Sequence, residues 1–249
     1  MRLRLNFSLV DTYMTLDYHK VFLKFIKKSI SEYQQGKFFD DFYNKDISKN
    51  ESKDYSWSVG FNKPIFKDKY IEVTGKEANM IFVSPSEKNI FIFFNAFMNQ
   101  KSKEMKISEN NWLKLENVKV IEDKDIKGNL MEAKILSAII LRDHDKEINK
   151  DTYFSVEDGN FIHELKKKLK RDYSQYEKEI DNLMVDTSRA KKVVITLYGQ
   201  QINATIGTLL FVGDESLLRH LYRNSIGSRK ALGFGVIDKV LDGDLKIWL

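Results

Sequence analysis

Ten residues near the C-terminus, Ile226-Gly227-Ser228-Arg229-Lys230-Ala231-Leu232-Gly233-Phe234-Gly235, carry the clearest chemical signal in this chain. Glycines flank a polar insert with two adjacent cations, and the apolar pair Val236-Ile237 follows. Glycine reaches positive φ and lets another backbone come close. Consecutive exposed N–H groups beside an Arg and a Lys would suit a phosphate oxygen. The plainer reading is a glycine-bearing hairpin before a last strand. The spacing is neither a Walker A loop nor a dinucleotide fingerprint. A second cationic set, Lys20, Lys24, Lys27 and Lys28, recurs at helical spacing opposite the apolar stripe Val21, Phe22, Phe25, Ile26, Ile30 and Tyr33. Such a face is either simply solvated or turned toward a polyanion. Histidines stand only at 19, 144, 163 and 220, with no close metal-ligand spacing. Cysteine is absent, which removes disulfides, thiolate zinc sites and cysteine nucleophiles together.

The elements that must position these groups come from a chain of 249 residues, enough for one large domain or two small ones with a real core. Basic residues number 41 against 36 acidic, a net charge of +5 that is compatible with nucleic acid but too mild to demonstrate it. The N-terminus lacks a signal-peptide apolar core, and no apolar run approaches about 18 residues. The expectation is a soluble cytoplasmic protein with no membrane partner, no metal and no cofactor.

Residues 2–8 alternate as a strand, and residues 15–34 switch to a helical period. The aperiodic segment 36–54 reads as a long connection. Strands are expected at 55–61, 70–74 and 80–83. Ser84-Pro85-Ser86-Glu87 predicts a helix start, with Ser84 as N-cap, proline at the first position and glutamate at the third. That helix runs to about Met98 with Phe91, Phe94 and Phe97 as core. Residues 103–121 are extended, with Leu113 and Leu115 alternating in one register and Val118 and Val120 in another. The charged stretch 122–129 is the candidate boundary between domains 1–124 and 125–249. Beyond it, 131–141 is strand-like, and Asn160 caps a helix carrying Phe161, Ile162, Leu165 and Leu169. A second helical piece bears Tyr176, Ile180 and Leu183. Runs at 192–198 and 201–212 turn near Gly199, Asp214 caps a helix over 215–224, and a final strand covers 234–240. Both halves read strand–helix–strand–strand–helix–strand. The predicted fold is therefore α+β, two tandem ferredoxin-like (βαββαβ, RRM-like) domains.

Two such halves, ending in Leu232-Gly233-Phe234-Gly235-Val236, resemble the CRISPR-associated endoribonucleases that cut precursor CRISPR RNA, a family of the RAMP superfamily. Lys53-Asp54-Tyr55-Ser56-Trp57-Ser58 looks like the family's lysine-led second strand, and Ala133–Leu141 with the Phe161–Tyr173 helix adds support. The family loop usually opens with a further glycine, where this chain has Ser225. The resemblance implies metal-free chemistry. The ribose 2′-OH attacks the adjacent phosphorus and leaves a 2′,3′-cyclic phosphate and a 5′-OH. That reaction needs a base, an acid and positive charge for the phosphorane.

Carried over by position, the family's helix residue falls on Lys27 or Lys28 and its lysine on Lys53. Its histidine falls on Asn44, a neutral amide that cannot accept a proton. Three readings of Asn44 stay open: histidine replaced to trap uncut RNA, a natural member relying on lysines, or a member that binds repeat RNA without cutting it. His19, beside Tyr18 at the edge of the helix stripe, is within reach of an active site but reads more readily as a partly buried structural histidine. Gly227, Ser228, Arg229, Lys230, Gly233, Phe234 and Gly235 are the implied RNA-binding loop, and the Lys166–Arg171 run is either a further patch or a solvated face. The implied partner is CRISPR repeat RNA within precursor crRNA, with other Cas effector subunits and a second copy of the chain as further candidates. The rival readings are a non-catalytic RAMP-type subunit of an effector complex and a nucleotide-binding ferredoxin-like protein.

Overall fold

The computed structural model describes residues 1–43, 53–145, 147 and 149–244. The chain separates into two compact units. One comprises Met1–Glu122 with Thr196–Gln200, the other Asp123–Ile195 with Gln201–Leu249.

In the first unit the alternation at the N-terminus forms β1 (Arg2–Leu9), followed by β2 (Tyr13–Thr15) and α1 (Tyr18–Glu32). The segment expected to be a bare connection holds a short helix, α2 (Phe39–Tyr43), whose Phe42 is buried and packs on Phe93. Then come β3 (Ser56–Phe61), β4 (Pro64–Phe66), β5 (Tyr70–Val73), β6 (Glu77–Val83), α3 (Glu87–Met98), β7 (Glu104–Lys106) and β8 (Trp112–Ile121). The main sheet runs β3-β6-β1-β8-β7, every pair antiparallel, and β2-β5-β4 form a small sheet of their own. The order β3-β6-β1-β8 is that of a ferredoxin-like βαββαβ domain.

Register explains which face is covered. Leu3, Leu5 and Phe7 alternate onto one face, where Leu3 opposes Phe82 and Phe82 opposes Trp57. There Phe7 meets Phe22 and Phe25 of α1 edge-on at 5.5 and 5.0 Å, and Phe82 meets Phe93 and Phe97 of α3 at 4.5 and 5.4 Å. Each buried ring contributes about 1.5–3 kcal/mol of apolar transfer energy. Trp57 is fully enclosed in this layer.

The α3 start differs from the expectation. Its N-cap is Ser86, whose hydroxyl accepts from the Asn89 N–H at 3.2 Å, while Ser84 and Pro85 lie before the helix. Ser84 instead uses its Oγ to tie Asp54 to the chain. Phe91 is not core: Ile90, Phe93 and Phe97 share the inner face, and Phe91, one position round from Ile90, is 66% exposed. The two registers of β8 have a physical cause, a bulge opposite Asn6/Phe7 that makes Leu115 pair with Phe7 and Asn117 with Asn6. Leu113, Leu115 and Val118 are buried, whereas Val120 is exposed.

The second unit contains β9 (Leu130–Ile135), β10 (Leu141–Asp145), β11 (Lys150–Phe154), α4 (Phe161–Asp172), α5 (Glu177–Asn182), β12 (Met184–Asp186), β13 (Ala190–Leu197), β14 (Gln200–Val212), α6 (Glu215–Asn224) and β15 (Ile237–Gly243). Its sheet runs β12-β14-β9-β15 with β13 also on β14, again the ferredoxin-like order, and β10-β11 is a separate hairpin. Met131, Ala133, Leu209 and Phe211 of the sheet meet Phe161, Leu165 and Leu169 of α4 and Leu217, Leu218 and Leu221 of α6 in one core. Ile162 faces outward. Asn160 holds the N-cap position of α4 but makes no side-chain cap bond. Asp214 does cap α6, accepting from Ser216 N and Leu217 N. The last strand starts at Ile237 because Phe234–Val236 are spent inside the glycine loop. Among the described residues no helix is long and apolar enough to cross a membrane.

Candidate functional site

The first unit brings two of the sequence-selected lysines together. α1 turns its apolar stripe into the core and leaves Lys20, Lys24 and Lys27 outside. α2 presents Tyr43, and the stretch entering β3 presents Lys53. The Lys53 ammonium lies 4.0 Å from the centre of the Tyr43 ring and the Lys27 ammonium 5.1 Å from it. Lys28, the alternative to Lys27, pairs with Glu32 at 3.8 Å. Behind the lysines the Tyr43 and Tyr55 hydroxyls share a hydrogen bond of 2.7 Å, and Tyr55 stacks on Phe82.

Charge follows from this packing. Burial, and next the neighbouring Lys27 charge, bring Lys53 down to about 8 from its ordinary 10.5. Burial raises the Tyr43 and Tyr55 phenols well above their usual range, so both stay protonated. Asn44 follows Tyr43 directly in the sequence and lies outside the described residues. His19 is buried against Tyr18 at 4.3 Å and near Trp57 at 5.5 Å, a structural position.

The glycine loop is built differently from the expected row of open N–H groups. Ser228 N donates to Ile140 O at 2.7 Å, Gly235 N to Ala138 O at 3.0 Å and Ile226 N to Gly235 O at 2.8 Å. Leu232 N and Gly233 N close a tight turn on Arg229 O and Lys230 O. The glycines serve this clasp. A Cβ on Gly227 would stand 2.6 Å from Ile140 O, and one on Gly235 would collide with the Ile226 carbonyl. Gly233 closes the turn at φ 95°, and Phe234 is buried. Ser225 sits at φ 63°, a positive-φ position that glycine adopts most easily, and its carbonyl accepts from the Tyr173 hydroxyl at 3.0 Å.

The two loop cations are also engaged. Lys230 is 9% exposed and donates to the Tyr173 hydroxyl at 3.0 Å. His220 lies edge-on to Tyr173, and burial, then the Lys230 charge, lower its pKa. Arg229 reaches the Tyr153 hydroxyl at 3.0 Å and Asp151 at 3.4 Å. Asp151 is a hub: it also holds Arg142 and His144 Nδ1 at 2.7 Å each. The Arg142 hydrogen bond is the largest cause holding the Asp151 carboxyl far below the usual carboxylate range. Sequence reading missed this cluster. Its signal is cross-strand pairing of Arg142 with Tyr153 and His144 with Asp151, visible only once the hairpin register is known. In the Lys166–Arg171 run, Lys167 pairs with Asp143 and Glu164, Lys168 with Asp172 and Lys170 with Asp181. Among the described residues no group of three or more His, Asp or Glu side chains is arranged to hold a metal ion.

Two antiparallel sheets of ferredoxin-like order, the second closed by a glycine loop, define a tandem ferredoxin-like protein. The fold matches a RAMP protein that binds different RNA substrates, with a TM-score of 0.80 and 20% identity over 97% of this chain and 100% of that one. It also matches the product of a Cas6-related gene from Pyrococcus furiosus, with a TM-score of 0.79 and 17% identity over 98% and 99% of the two chains. Residues 116–239 match the family described as CRISPR associated protein Cas6, C-terminal. Over 181 residues, 70% of this chain and 74% of the relative, the sequence is 26% identical to a CRISPR-associated endoribonuclease-like protein, Cas6nc, of Pyrococcus horikoshii. These matches support a protein of the CRISPR-associated Cas6 endoribonuclease family, with the family match itself confined to residues 116–239.

Proposed function

We propose that this protein binds CRISPR repeat RNA and cuts the precursor transcript by metal-independent attack of a ribose 2′-OH on the adjacent phosphorus. The observation that carries the reading is the pairing of Lys53 with Lys27 over Tyr43, with Lys53 held at about 8. Lys53 donates its proton to the leaving 5′-oxygen as the P–O5′ bond breaks. Lys27 stays charged and offsets the negative charge gathering on the phosphorane. The 2′-OH loses its proton to solvent, because Asn44 has no site to accept one and the buried phenols are protonated. The products are a 2′,3′-cyclic phosphate and a 5′-OH. A missing general base costs a typical factor of about 10²–10⁴, so cutting is slow.

The same two facts, an amide at 44 and phenols held protonated, also favour the rival reading of a RAMP-type subunit that binds repeat RNA without cutting it inside a larger Cas assembly. The test is a labelled repeat RNA incubated in EDTA and resolved on denaturing and native gels. A slow single cut with a cyclic end, slower still in Lys53→Ala, supports the nuclease. Tight binding with no cut, unchanged in Asn44→His, leaves the binding subunit. Absence of selective binding overturns both.

A further inference from the structure

The hairpin joining β13 to β14 turns through two residues, Tyr198 and Gly199, both left-handed at φ 52° and 80°. Such turns select Asn or Asp followed by Gly, since a positive φ at the first position is strained for a bulky side chain. Tyrosine is a poor choice there, and its ring is not stabilised by burial, being 51% exposed. Strain of this kind persists where a side chain is needed at that point.

The ring's surroundings say for what. Residues 196–200 group with the first unit, and within it the Lys20 ammonium lies 5.3 Å from the Tyr198 ring centre. Tyr198, Lys20, Leu23, Lys24, Lys27 and Lys28 line an open groove of about 470 Å³. Lys20 is paired with Asp17 at 2.7 Å and Lys28 with Glu32 at 3.8 Å. Even so, four ammonium groups line one face of a helix with one accessible aromatic plane. An aromatic face beside a row of cations is the arrangement that holds unpaired nucleotides, the ring stacking on a base while the cations follow the phosphates. A duplex hides its base faces in its own stack and offers the ring nothing. An acidic peptide would use the lysines but not the strained ring.

We infer that Tyr198 and the α1 lysines form a subsite for an unpaired nucleotide of the RNA. Its base stacks on Tyr198, and the adjoining phosphates lie along Lys20 and Lys24. Lys27 lines this groove and also reaches Tyr43, so the stacked nucleotide belongs to the segment next to the phosphate that is cut. The inference rests on the proposal that the chain binds RNA. It adds that the strand at the Lys27–Lys53 pair is single.

The test compares the full chain with Tyr198→Asn, Tyr198→Phe and Tyr198→Trp. Probes are the repeat RNA, a short oligouridylate, an abasic ribose-phosphate strand of equal length and a blunt RNA duplex. Asn suits the turn, so Tyr198→Asn should melt no lower than the parent while weakening oligouridylate about tenfold, within the range for loss of one stacked base. Phe and Trp should retain binding, and the abasic strand and duplex should not respond to the substitution. Equal oligouridylate binding by Tyr198→Asn and the parent overturns the subsite, as does an equal loss on the abasic strand. The two proposals fail separately. Repeat RNA cut normally by a Tyr198→Asn variant with undiminished binding removes the subsite alone. Tyr198-dependent oligouridylate binding with no preference for repeat RNA removes the repeat-processing function alone.

Discussion

Lys53 gives the pH dependence a definite shape. In the proposed mechanism its protonated form is the active acid, and that form is lost as pH rises through about 8. With asparagine at 44, removal of the 2′-OH proton falls to hydroxide and grows tenfold per pH unit. The product of the two is a cleavage rate that rises up to about pH 8 and is flat above it. Lys53→Ala should give a slower rate that keeps rising. Asn44→His adds a base effective above its ordinary value of about 6.5, so the profile becomes bell-shaped between about 6.5 and 8 and the rate near pH 7 increases by about 10²-fold or more. Single-turnover rates across pH 5.5–9.5 check all three. An Asn44→His profile identical to the parent would remove Asn44 from the site.

Elements carry the next predictions. Ser86→Ala should destabilise the first unit by about 1 kcal/mol through loss of the α3 cap, read as a shifted denaturant midpoint with unchanged slope. A neutral result would return the cap to Ser84. In the glycine loop, Gly235→Ala costs about 1–2 kcal/mol for a left-handed residue before its clash with the Ile226 carbonyl is counted. Gly199→Ala, at nearly the same φ but with nothing within 4 Å, incurs the first cost alone. Gly235→Ala should therefore melt clearly lower than Gly199→Ala. These cases also mark how far the sequence could be read. Periodicity located β1, α1 and both cores because burial imposes a period on residue type, and even the β8 bulge left its trace as two alternating registers. The cap was misplaced because Ser84 and Ser86 are both competent and only the backbone turn chooses between them. Lys27 and Lys53 were legible by position, but their meeting at Tyr43 depends on α2, five residues with too little pattern to announce a helix. The closure of the glycine loop was hidden for a related reason: its hydrogen-bond partners, Ala138 and Ile140, lie about 90 residues away.

Over the whole molecule a net charge of +5 spread through 249 residues is too weak to capture RNA by bulk attraction. Binding should depend on where cations are gathered, and many of the lysines described above are paired with carboxylates of their own unit. The affinity for single-stranded RNA should fall with salt, and removing one lysine that meets a phosphate should lower the log–log slope by about 0.7. Lys24→Ala is expected to do so, whereas Lys170→Ala, paired with Asp181, is expected to leave the slope unchanged. Filter binding between 50 and 300 mM salt separates them. The placement of indole groups has a separate use. Trp57, sealed in the first core, and half-buried Trp112 on β8 are the tryptophans among the described residues, and both belong to the first unit. Emission from Trp57 should shift to the red when that unit alone opens, so in a Trp248→Phe variant, whose remaining tryptophans lie in the first unit, fluorescence and far-ultraviolet circular dichroism followed through one denaturant titration would give coincident curves for a chain that unfolds as one body and staggered curves for two halves that melt independently.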